Sequence, residues 1–458
     1  MDENTNKIKM KKNILVAALL FLRFTVYSQL ISTVAGTGAA GYNSDGIAAT
    51  LAQLNSPAGV AVDAAGNIYI ADYNNHRIRM VDIATGLIST IAGTGTAGYN
   101  GDGIPATAAE LNTPYGVSLD AAANVYIADY YNNRIRKVIA ATGMITTIAG
   151  TGAGGYNGDG ILAINASLNN PLEPVIDPAG NVYIPDEYNH RVRKITAATG
   201  MISTIAGTGT GGYNGDGIPA TAAELNFPFG LGFDGAGNLF IADEANGRIR
   251  KITVSSGLIS TVAGTGNLSY NGDGIAATAA DLNRPLDVDI DAAGNLYITD
   301  HFNDRIRKVT ASTGLISTIA GTGIAGYNGD GIPASAAYIN EPLRCTFDAS
   351  GNLFIADRSN HRIRKVPNVT TNISEIIYLE NETTIFPNPA VSFININSSR
   401  GNVLSVKIAN AAGDEIMNRH FANNDKQSTI DVSKLTNGIY FMQIQTKNKI
   451  INKKVMIQ

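Results

Sequence analysis

The chain has 458 residues, of which 44% are hydrophobic and 16% are charged, and it contains 49 glycines and no tryptophan. This length exceeds one ordinary hydrophobic core, so it predicts two or more domains or one large repeat array. The formal net charge is −4 and the only cysteine is Cys345. The sequence therefore offers neither the basic surface expected for a nucleic-acid partner nor an intramolecular disulfide.

Residues 1–28 have the pattern of an export signal. Several lysines precede the apolar run ILVAALLFL at 14–22, and the small-residue stretch VYS stands before Gln29. Nine apolar residues suit a signal peptide and are too few to span a bilayer. We predict a signal peptide at 1–28, translated from Met1 or Met10, and no transmembrane segment. The alternative is a buried N-terminal helix.

A unit of 57 residues then recurs six times, and its most regular marker is an aspartate at the end of a strand pattern: Asp72, Asp129, Asp186, Asp243, Asp300 and Asp357. The first five units have four short strand patterns each, which in the first unit read GVAVD, NIYIAD, HRIRMV and LISTIAG. The segment ATAAEL in the following linker predicts one or two helical turns. Four such strands make one antiparallel sheet with two faces to bury. Sheets arranged radially bury both faces, which predicts a β-propeller.

The two ends of the repeat array complement each other. The sixth unit stops at HRIRKVPNV without its fourth strand, and an unattached copy of that strand, LISTVAG, stands at 30–36. The first and last segments therefore share one blade. The sequence predicts an all-β, six-bladed β-propeller at 29–366 that is closed by an N-terminal outer strand.

The repeat also carries a family resemblance. PAGVAVDAAGNIYIADYNNHRIRMV at 57–81 resembles NHL repeats, and the linker YNGDGIPATAAELN resembles the NHL region of teneurin-like proteins. The resemblance covers roughly residues 30–366 and implies a six-bladed propeller that acts mostly by interaction. Related propellers include gluconolactonase-like proteins and lyases, so the fold does not name an activity.

The repeat ends at Val366 and a different pattern follows. Residues 367–383 are polar and irregular, which predicts a linker, and 384–458 alternate apolar residues with turns, which predicts a small β-sandwich. IFPNPAVSFININ and IDVSKLTNGIY resemble the type A C-terminal sorting domain of the type IX secretion system. The resemblance implies that 384–458 engage the secretion machinery of a Gram-negative bacterium, with the tail then cleaved or used for surface attachment. The alternative is an Ig-like binding module.

Features present in every repeat are expected to be structural, because a site on the propeller axis needs only one copy. The NGDG motif, with Asp102 in the second unit, has oxygen ligands for Ca²⁺ but lacks the spacing of a calcium loop, so a turn is the preferred interpretation and Ca²⁺ the only cofactor left open. Asp72 and Arg77 are expected to form an in-blade ion pair or turn cap. Cys345 is expected to be a buried apolar residue.

Three histidines, His76, His190 and His361, occupy one repeat position, and His301 lies three places earlier in its own repeat. Imidazoles from neighbouring blades are conceivable metal ligands. Each of the three stands on a polar loop before an arginine, so solvated loop histidines are the preferred interpretation.

The clearest break in the repeat lies at the start of the innermost strand. Where other units have glycine, three units have Glu173, Asp287 and Arg344, and Asp289 follows two residues after Asp287. We predict that these four residues form a charged cluster at one mouth of the central channel, as candidate ligand-binding residues. The alternative is an ion pair between neighbouring blades. Pro185 and Glu187 make the third unit atypical near the same end.

Together these features predict a secreted or cell-surface protein, monomeric, that binds an extracellular protein or glycan. The alternative is a propeller enzyme of lyase or lactonase type with a metal in the central channel. No catalytic residues are assigned.

Overall fold

The computed structural model describes residues 29–369 and, nearer the C-terminus, 383–386, 390–398, 403–410, 415–421, 427–446 and 450–457. The predicted signal peptide and most of the predicted linker lie outside the described residues. The chain divides into two compact units, Met1–Asn368 and Val369–Gln458, and each is described by itself.

The first unit contains six antiparallel sheets of five strands each, which confirms the six-bladed propeller. In every blade the innermost strand pairs with the second, the second with the third and the third with the fourth. A further strand of two residues, such as Ile47–Ala48 in blade 1, pairs with the outer edge of the fourth. The sequence predicted four strands, because two residues carry no recognisable alternation.

Five of the six blades are each formed by one continuous stretch of the chain. Blade 1 has Ile47–Ala48, Pro57–Val62, Ile68–Asp72, Arg77–Val81 and Leu87–Ala92, and blade 2 has Ile104–Pro105, Pro114–Leu119, Val125–Asp129, Arg134–Ile139 and Met144–Ala149. Blade 3 has Ile161–Leu162, Val175–Ile176, Val182–Asp186, Arg191–Ile195 and Met201–Ala206, and blade 4 has Ile218–Pro219, Pro228–Phe233, Leu239–Asp243, Arg248–Thr253 and Leu258–Ala263. Blade 5 has Ile275–Ala276, Pro285–Ile290, Leu296–Asp300, Arg305–Thr310 and Leu315–Ala320, and blade 6 has Leu30–Ala35, Ile332–Pro333, Pro342–Phe347, Leu353–Asp357 and Arg362–Val366.

The N-terminal strand closes the ring as predicted. Leu30–Ala35 pairs with Arg362–Val366 on one side and with Ile332–Pro333 on the other. Residues from the two ends of the propeller sequence therefore form one sheet. The side chains of Ile31 and Ala35 are fully buried in it.

Each repeat has two short 3₁₀ helices. One lies in the linker between blades, where a helical turn was predicted. These six are Ala49–Leu51, Ala106–Ala108, Ala163–Asn165, Ala220–Ala222, Ala277–Ala279 and Ala334–Ala336. The other joins the second strand to the third, and we call these six the loop helices: Tyr73–Asn75, Tyr130–Asn132, Glu187–Asn189, Glu244–Asn246, His301–Asn303 and Arg358–Asn360.

Buried arginines fix the outer part of every blade. In blade 1 the fully buried Arg79 pairs through Nη2 with Asp45 at 2.8 Å and through Nη1 with Asp72 at 3.5 Å. The expected partner of Asp72 was Arg77, and this was wrong: Arg77 instead donates to the carbonyls of Asn75 and Thr94. The same network recurs in all six blades, so it is a structural feature.

The aspartate of the NGDG motif and its equivalent in blade 1, Asp45, belong to this network. Asp45 accepts hydrogen bonds from the Tyr42 hydroxyl at 3.1 Å and from Thr90 at 3.2 Å, besides the ion pair with Arg79. The Tyr42 ring lies 4.0 Å from the guanidinium carbon of Arg77 and 4.8 Å from that of Arg79. The carboxylate oxygens that a calcium ion would need are thus already engaged by donors in the blade.

The described residues of the second unit form two antiparallel sheets. The strands are Thr383–Phe386, Phe393–Ser398 and Gln427–Asp431 in one, and Val403–Ala409, Glu415–His420, Gly438–Thr446 and Ile450–Ile457 in the other. Buried side chains of both sheets, among them Ile394, Ile430, Val406 and Ile444, form one core. This is the predicted small β-sandwich.

Candidate functional site

The six innermost strands begin at the end of the propeller that carries the loop helices. We call this end the loop face and the opposite end the turn face. One apolar cluster there contains a side chain from every blade: Ala58, Tyr130, Leu172, Phe229, Leu286 and Leu343. Because all six blades contribute, this cluster surrounds the channel axis at the loop face.

Three of the predicted charged residues form one ion-paired cluster. Arg344 Nε lies 2.9 Å from Glu173 Oε2, and Arg344 Nη2 lies 3.5 Å from Asp287 Oδ1. Blades 5 and 6 are neighbours, but blade 3 lies on the opposite side of the channel from blade 6. Arg344 therefore joins blades across the axis as well as side by side.

Glycines in the other blades make room for these long side chains. A Cβ on Gly116 would lie 2.2 Å from the Cβ of Glu173, and one on Gly230 would lie 2.4 Å from Oδ1 of Asp287. Both distances are below van der Waals contact, so larger residues cannot stand there without displacing the cluster. Three large charged residues and three glycines thus fill one layer of the channel.

The cluster is buried rather than placed at an open mouth. Glu173, Asp287 and Arg344 are 6%, 2% and 4% exposed, whereas Asp289 is partly exposed. Backbone N–H groups of Val117 and Cys345 donate to Glu173 and Asp287 at 3.3 Å and 3.0 Å. A role of the four residues in ligand binding stays a prediction.

Burial dominates the electrostatics of the cluster. It raises the pKa of Glu173 to about 8 against the opposing effect of Arg344, and together with Asp287 it raises the pKa of Asp289 to about 7. Burial also raises the pKa of Asp287, again opposed by Arg344. One guanidinium nitrogen of Arg344, Nη1, has no hydrogen-bond partner in the described part of the chain.

Blade 3 departs from the others where Glu173 occurs. Its innermost strand, Val175–Ile176, has two residues instead of six. Pro174 precedes it and has no N–H to donate, so the ladder cannot extend toward Glu173. An isolated bridge between Pro171 and Asp186, with a bond from Leu172 N to Pro185 O at 2.9 Å, holds the chain instead. The prolines of this blade thus account for its irregular edge.

A second set of residues at the loop face was not recognised as a set from the sequence, which singled out only Glu187 and His301 among them. The first residue of each loop helix differs around the ring, and we call these six the mouth ring: Tyr73, Tyr130, Glu187, Glu244, His301 and Arg358. They break the repeat as clearly as the axial charges do. The same criterion, applied to the residue after each strand-ending aspartate, would have found them.

The mouth ring lies over the apolar cluster at the axis. The Tyr115 ring packs against Tyr73, Tyr130 and Phe229 at centroid distances of 5.3, 5.2 and 5.4 Å. Charged members of the ring act on the same tyrosine, since Glu187 and Glu244 help burial to raise its pKa and Arg358 lowers it. Side chains from opposite blades therefore converge there.

The polar groups of the mouth ring have defined partners. The Tyr130 hydroxyl donates to Glu187 Oε2 at 2.9 Å, and Arg284 pairs with Glu244 at 3.1 Å. His301 Nδ1 lies 3.0 Å from the Pro342 carbonyl, so this nitrogen carries the proton. Burial raises the pKa of Glu187 to about 8, with Glu244 adding to the effect, and lowers the pKa of His301 to about 4.

Aromatic side chains stand exposed around this mouth. Tyr131, Tyr188 and Phe302 are 56%, 50% and 47% exposed, each at the second position of a loop helix. The same position in blades 1, 4 and 6 holds Asn74, Ala245 and Ser359. An aromatic ring is thus not needed for this loop to form.

A neighbouring set of residues has left-handed backbone conformation. Their φ angles lie between 49° and 55°, in the order Ser56, Thr113, Asn170, Phe227, Arg284 and Glu341. Glycine and asparagine are the residues that this conformation favours, and only Asn170 follows that preference. The other five side chains are therefore not explained by the backbone they stand on.

The three histidines link neighbouring blades. Nδ1 of His76, His190 and His361 accepts the backbone N–H of Thr113, Phe227 and Ser56 at 3.0, 3.2 and 3.0 Å. Asn133 and Asp304 make the same bond in two other blades. The three histidines are partly exposed on their loops, but one ring nitrogen of each is bonded to the next blade, which the expectation of solvated histidines did not include. Within the described ranges, no group of three or more His, Cys, Asp and Glu side chains could hold a metal ion.

Replacing all three histidines with asparagine is expected to remove an acid-sensitive part of the stability. Burial lowers the pKa of each histidine, so the unfolded state binds more protons. The stabilisation is complete above the unfolded pKa of about 6.5 and is lost as the pH falls. The free energy of urea unfolding of the wild type should therefore fall, relative to His76→Asn/His190→Asn/His361→Asn, between pH 7.5 and pH 5. Parallel pH curves would contradict this role.

Two family models match the chain. One is described as a secretion system C-terminal sorting domain and matches residues 384–458. The other is the NHL repeat and matches residues 54–79. The match to one repeat, together with the 57-residue period, extends the assignment to the six blades.

Curated relatives agree with this assignment. Protein SUPPRESSOR OF QUENCHING 1, chloroplastic, of Arabidopsis thaliana is 30% identical over 349 residues, 73% of this chain and 32% of that protein. NHL repeat-containing protein 2 of Bos taurus is 27% identical over 73% of this chain and 50% of that protein, and teneurin-4 of Mus musculus is 30% identical over 56% and 10%. The chain thus spans half or less of the length of these relatives.

Solved structures share the fold. A Bacteroides thetaiotaomicron protein of unknown function has a TM-score of 0.56 at 19% identity and covers 74% of this chain and 75% of its own. An auxiliary nutrient binding protein of the same species has a TM-score of 0.54 at 18% identity, with coverage of 74% and 76%.

The first unit is an NHL-type six-bladed propeller, similar in sequence to the NHL regions of the teneurins. The chain joins this propeller to a type IX sorting domain, which implies export by the type IX route and a position outside the cell or on its outer surface. None of the described helices is long and apolar enough to cross a membrane.

Proposed function

We propose that the protein is an extracellular binding module that takes a protein or glycan ligand on the loop face of its propeller. Its route would begin with a signal peptide, lead through the periplasm of a Gram-negative bacterium and end with export through the sorting domain. The observation that carries the binding role is the asymmetry of the loop face. There, aromatic and charged side chains that the repeat does not require surround the channel mouth.

Chemistry favours this end of the molecule. Exposed tyrosines and phenylalanines contribute large contact areas at low entropic cost, and Tyr and Arg are enriched where proteins bind partners. At this face Tyr131, Tyr188 and Phe302 flank the charged mouth ring. A propeller of the same fold described as a nutrient binding protein supports a binding role for this architecture. No observation on the described residues favours the lyase or lactonase alternative.

The chain itself supplies the variant that tests this role. In Tyr131→Asn/Tyr188→Ala/Phe302→Ser, each aromatic residue takes a residue that another blade has at the same position. We expect the wild-type chain to show a higher unfolding temperature with at least one member of a panel of peptides and oligosaccharides, since a ligand bound only by the folded state stabilises it. The variant should lose that shift while keeping its own unfolding temperature in the absence of ligand.

The matched control is Leu51→Ala/Ile83→Ala/Val254→Ala, which removes three exposed apolar side chains elsewhere. Other blades have alanine at each of these positions, and the ligand shift should survive. A shift that persists in the aromatic variant and requires added Zn²⁺ or Ca²⁺ would reject the loop face and favour the enzyme alternative. The absence of a shift with every probe would count against a binding module.

A further inference from the structure

Glu187 is a buried carboxyl group without a cationic partner. It is 7% exposed, and among the described residues its side chain accepts one hydrogen bond, from the Tyr130 hydroxyl. Three other glutamates near the axis have a guanidinium beside them: Glu244 has Arg284, Glu341 has Arg358, and Glu173 has Arg344. Among the described residues, Glu187 forms no ion pair, and its second carboxylate oxygen accepts no hydrogen bond from a protein group.

Its surroundings make this arrangement costly. Tyr130 and Tyr115 pack at 5.2 Å, Phe229 packs on Tyr115, and the second carboxylate of Glu244 raises the pKa of Glu187 further. A carboxylate among aromatic rings loses hydration that one hydroxyl does not replace. A positive group placed there would gain both the carboxylates and the negative faces of the rings.

We propose that the mouth ring receives the side-chain ammonium of a lysine from a partner protein, with Glu187 as its counter-ion. The inference rests on the proposed function, since it names the chemistry of a ligand at the loop face. The carboxylates of Glu187 and Glu244 favour a cationic ligand, and the surrounding aromatic rings favour a cation that is carried on an apolar chain. A lysine has both, because four methylenes pack along apolar surface and end in a compact group with three donors.

The burial of the polar members of the mouth ring favours lysine over a sugar. Glu187, Glu244 and His301 are between 6% and 8% exposed, so a group must be slender to reach them. A pyranose ring is wider than a methylene chain and is therefore less suited to reach side chains that are this deeply buried. The exposed side chains of Tyr131 and Tyr188 would then contact the partner around the inserted lysine, as aromatic residues commonly do in protein interfaces.

The test uses the full-length chain and the probe Nα-acetyl-lysine N-methylamide, titrated at pH 7 by calorimetry. We expect saturable binding that weakens at least tenfold in Glu187→Gln. Glu110→Gln, which removes a partly exposed carboxylate from a linker, should bind as the wild type does. The Nε-acetylated probe, which has no charge, should not bind.

Two further measurements guard against a merely structural effect. Because Glu187 has a pKa of about 8 and is faced by Tyr130, Tyr188 and Glu244, an incoming ammonium should displace its proton. Binding heats in two buffers of different ionisation enthalpy should therefore reveal proton release that Glu187→Gln lacks. Glu187→Tyr, which copies blades 1 and 2 at this position, should fold and also fail to bind.

Other outcomes would overturn the inference. Equal binding of the charged and acetylated lysine probes would remove the role of the ammonium. Binding of a glucosamine trimer, but not of its N-acetylated form or of the lysine probe, would assign the site to an amino sugar. If the lysine probe fails while the aromatic variant still abolishes a ligand shift, the lysine assignment falls and the loop-face binding module stands.

Discussion

Deletion of residues 29–36 is expected to abolish the cooperative unfolding transition of the propeller. Leu30–Ala35 is the only link in the described sheets between the start of the repeat array and Arg362–Val366 at its end. Its loss leaves the edge of blade 6 unpaired and exposes the apolar faces that Ile31 and Ala35 cover. Near-ultraviolet circular dichroism during urea unfolding should show a broad transition in place of a sharp one.

A single substitution should produce the same effect in milder form. Ile31 is fully buried, so Ile31→Asp places an unpaired charge at the closing sheet and should cost about 4 kcal/mol or more. The control substitutes Leu30→Asp at the neighbouring position, which is 42% exposed, and should cost less than about 1 kcal/mol.

A rearranged chain tests whether blade 6 needs only the presence of this strand or needs it to come from the N-terminus. In this variant LISTVAG is removed from 30–36 and placed after Val366 through the turn DIATG of blade 1. Blade 6 then has all its strands in one continuous segment, as the other blades do. Recovery of a sharp transition is expected. Failure to recover would mean that the N-terminal position of the strand, and not its presence in the sheet, holds the ring closed.

The architecture could be derived from the sequence because it is encoded many times. A period of 57 residues, with alternating apolar residues in every copy, leaves little choice of fold. The unattached strand at 30–36 then fixes both the number of blades and the manner of closure. By contrast, Ile47–Ala48 and its equivalents are too short to carry a pattern, so the fifth strand of each blade was not predictable.

Side-chain partners were harder to predict than strands. Asp72 ends one strand pattern and Arg77 begins the next, which made that pair the natural expectation, and the two residues do lie opposite each other in the sheet register. Both arginine side chains are long enough to reach several acceptors. The buried Arg79 pairs with Asp72, whereas Arg77 donates to backbone carbonyls. Reach and burial decide such contacts, and neither follows from spacing along the chain.

The candidate site was likewise predictable only in part. The sequence identified Glu173, Asp287 and Arg344 because they replace glycine, but it could not show that Arg344 crosses the axis to Glu173. The mouth ring was not recognised as a set, although Glu187 and His301 were noted, because its members follow a constant aspartate in a segment that reads as a polar loop. Only the folded ring brings six single substitutions, each ordinary in its own blade, to one place.

Arg344→Leu is expected to destabilise the propeller by about 3–5 kcal/mol, because it leaves buried carboxylates without their counter-charge. The loss should depend on pH with a definite sign. Burial raises the pKa of Glu173 to about 8 and that of Asp289 to about 7, so these groups favour the folded state when protonated. Their contribution is complete below the unfolded pKa of about 4 and is lost as the pH rises through 7 and 8. Without Arg344 this loss is larger. The free energy of urea unfolding of Arg344→Leu should therefore lie further below that of the wild type at pH 8.5 than at pH 5.5.

The matched variant removes the charges together. Glu173→Gly/Asp287→Gly/Arg344→Gly gives blades 3, 5 and 6 the residue that blades 1, 2 and 4 have at this layer. If the cluster is a structural ion pair, the triple variant should recover at least half of the stability that Arg344→Leu loses, because no buried charge remains uncompensated. If Arg344→Leu instead unfolds like the wild type at both pH values, the pairing does not stabilise the ring. The energetic reason to retain a cationic side chain beside two acids in a glycine-lined layer would then be the binding of a ligand in the channel.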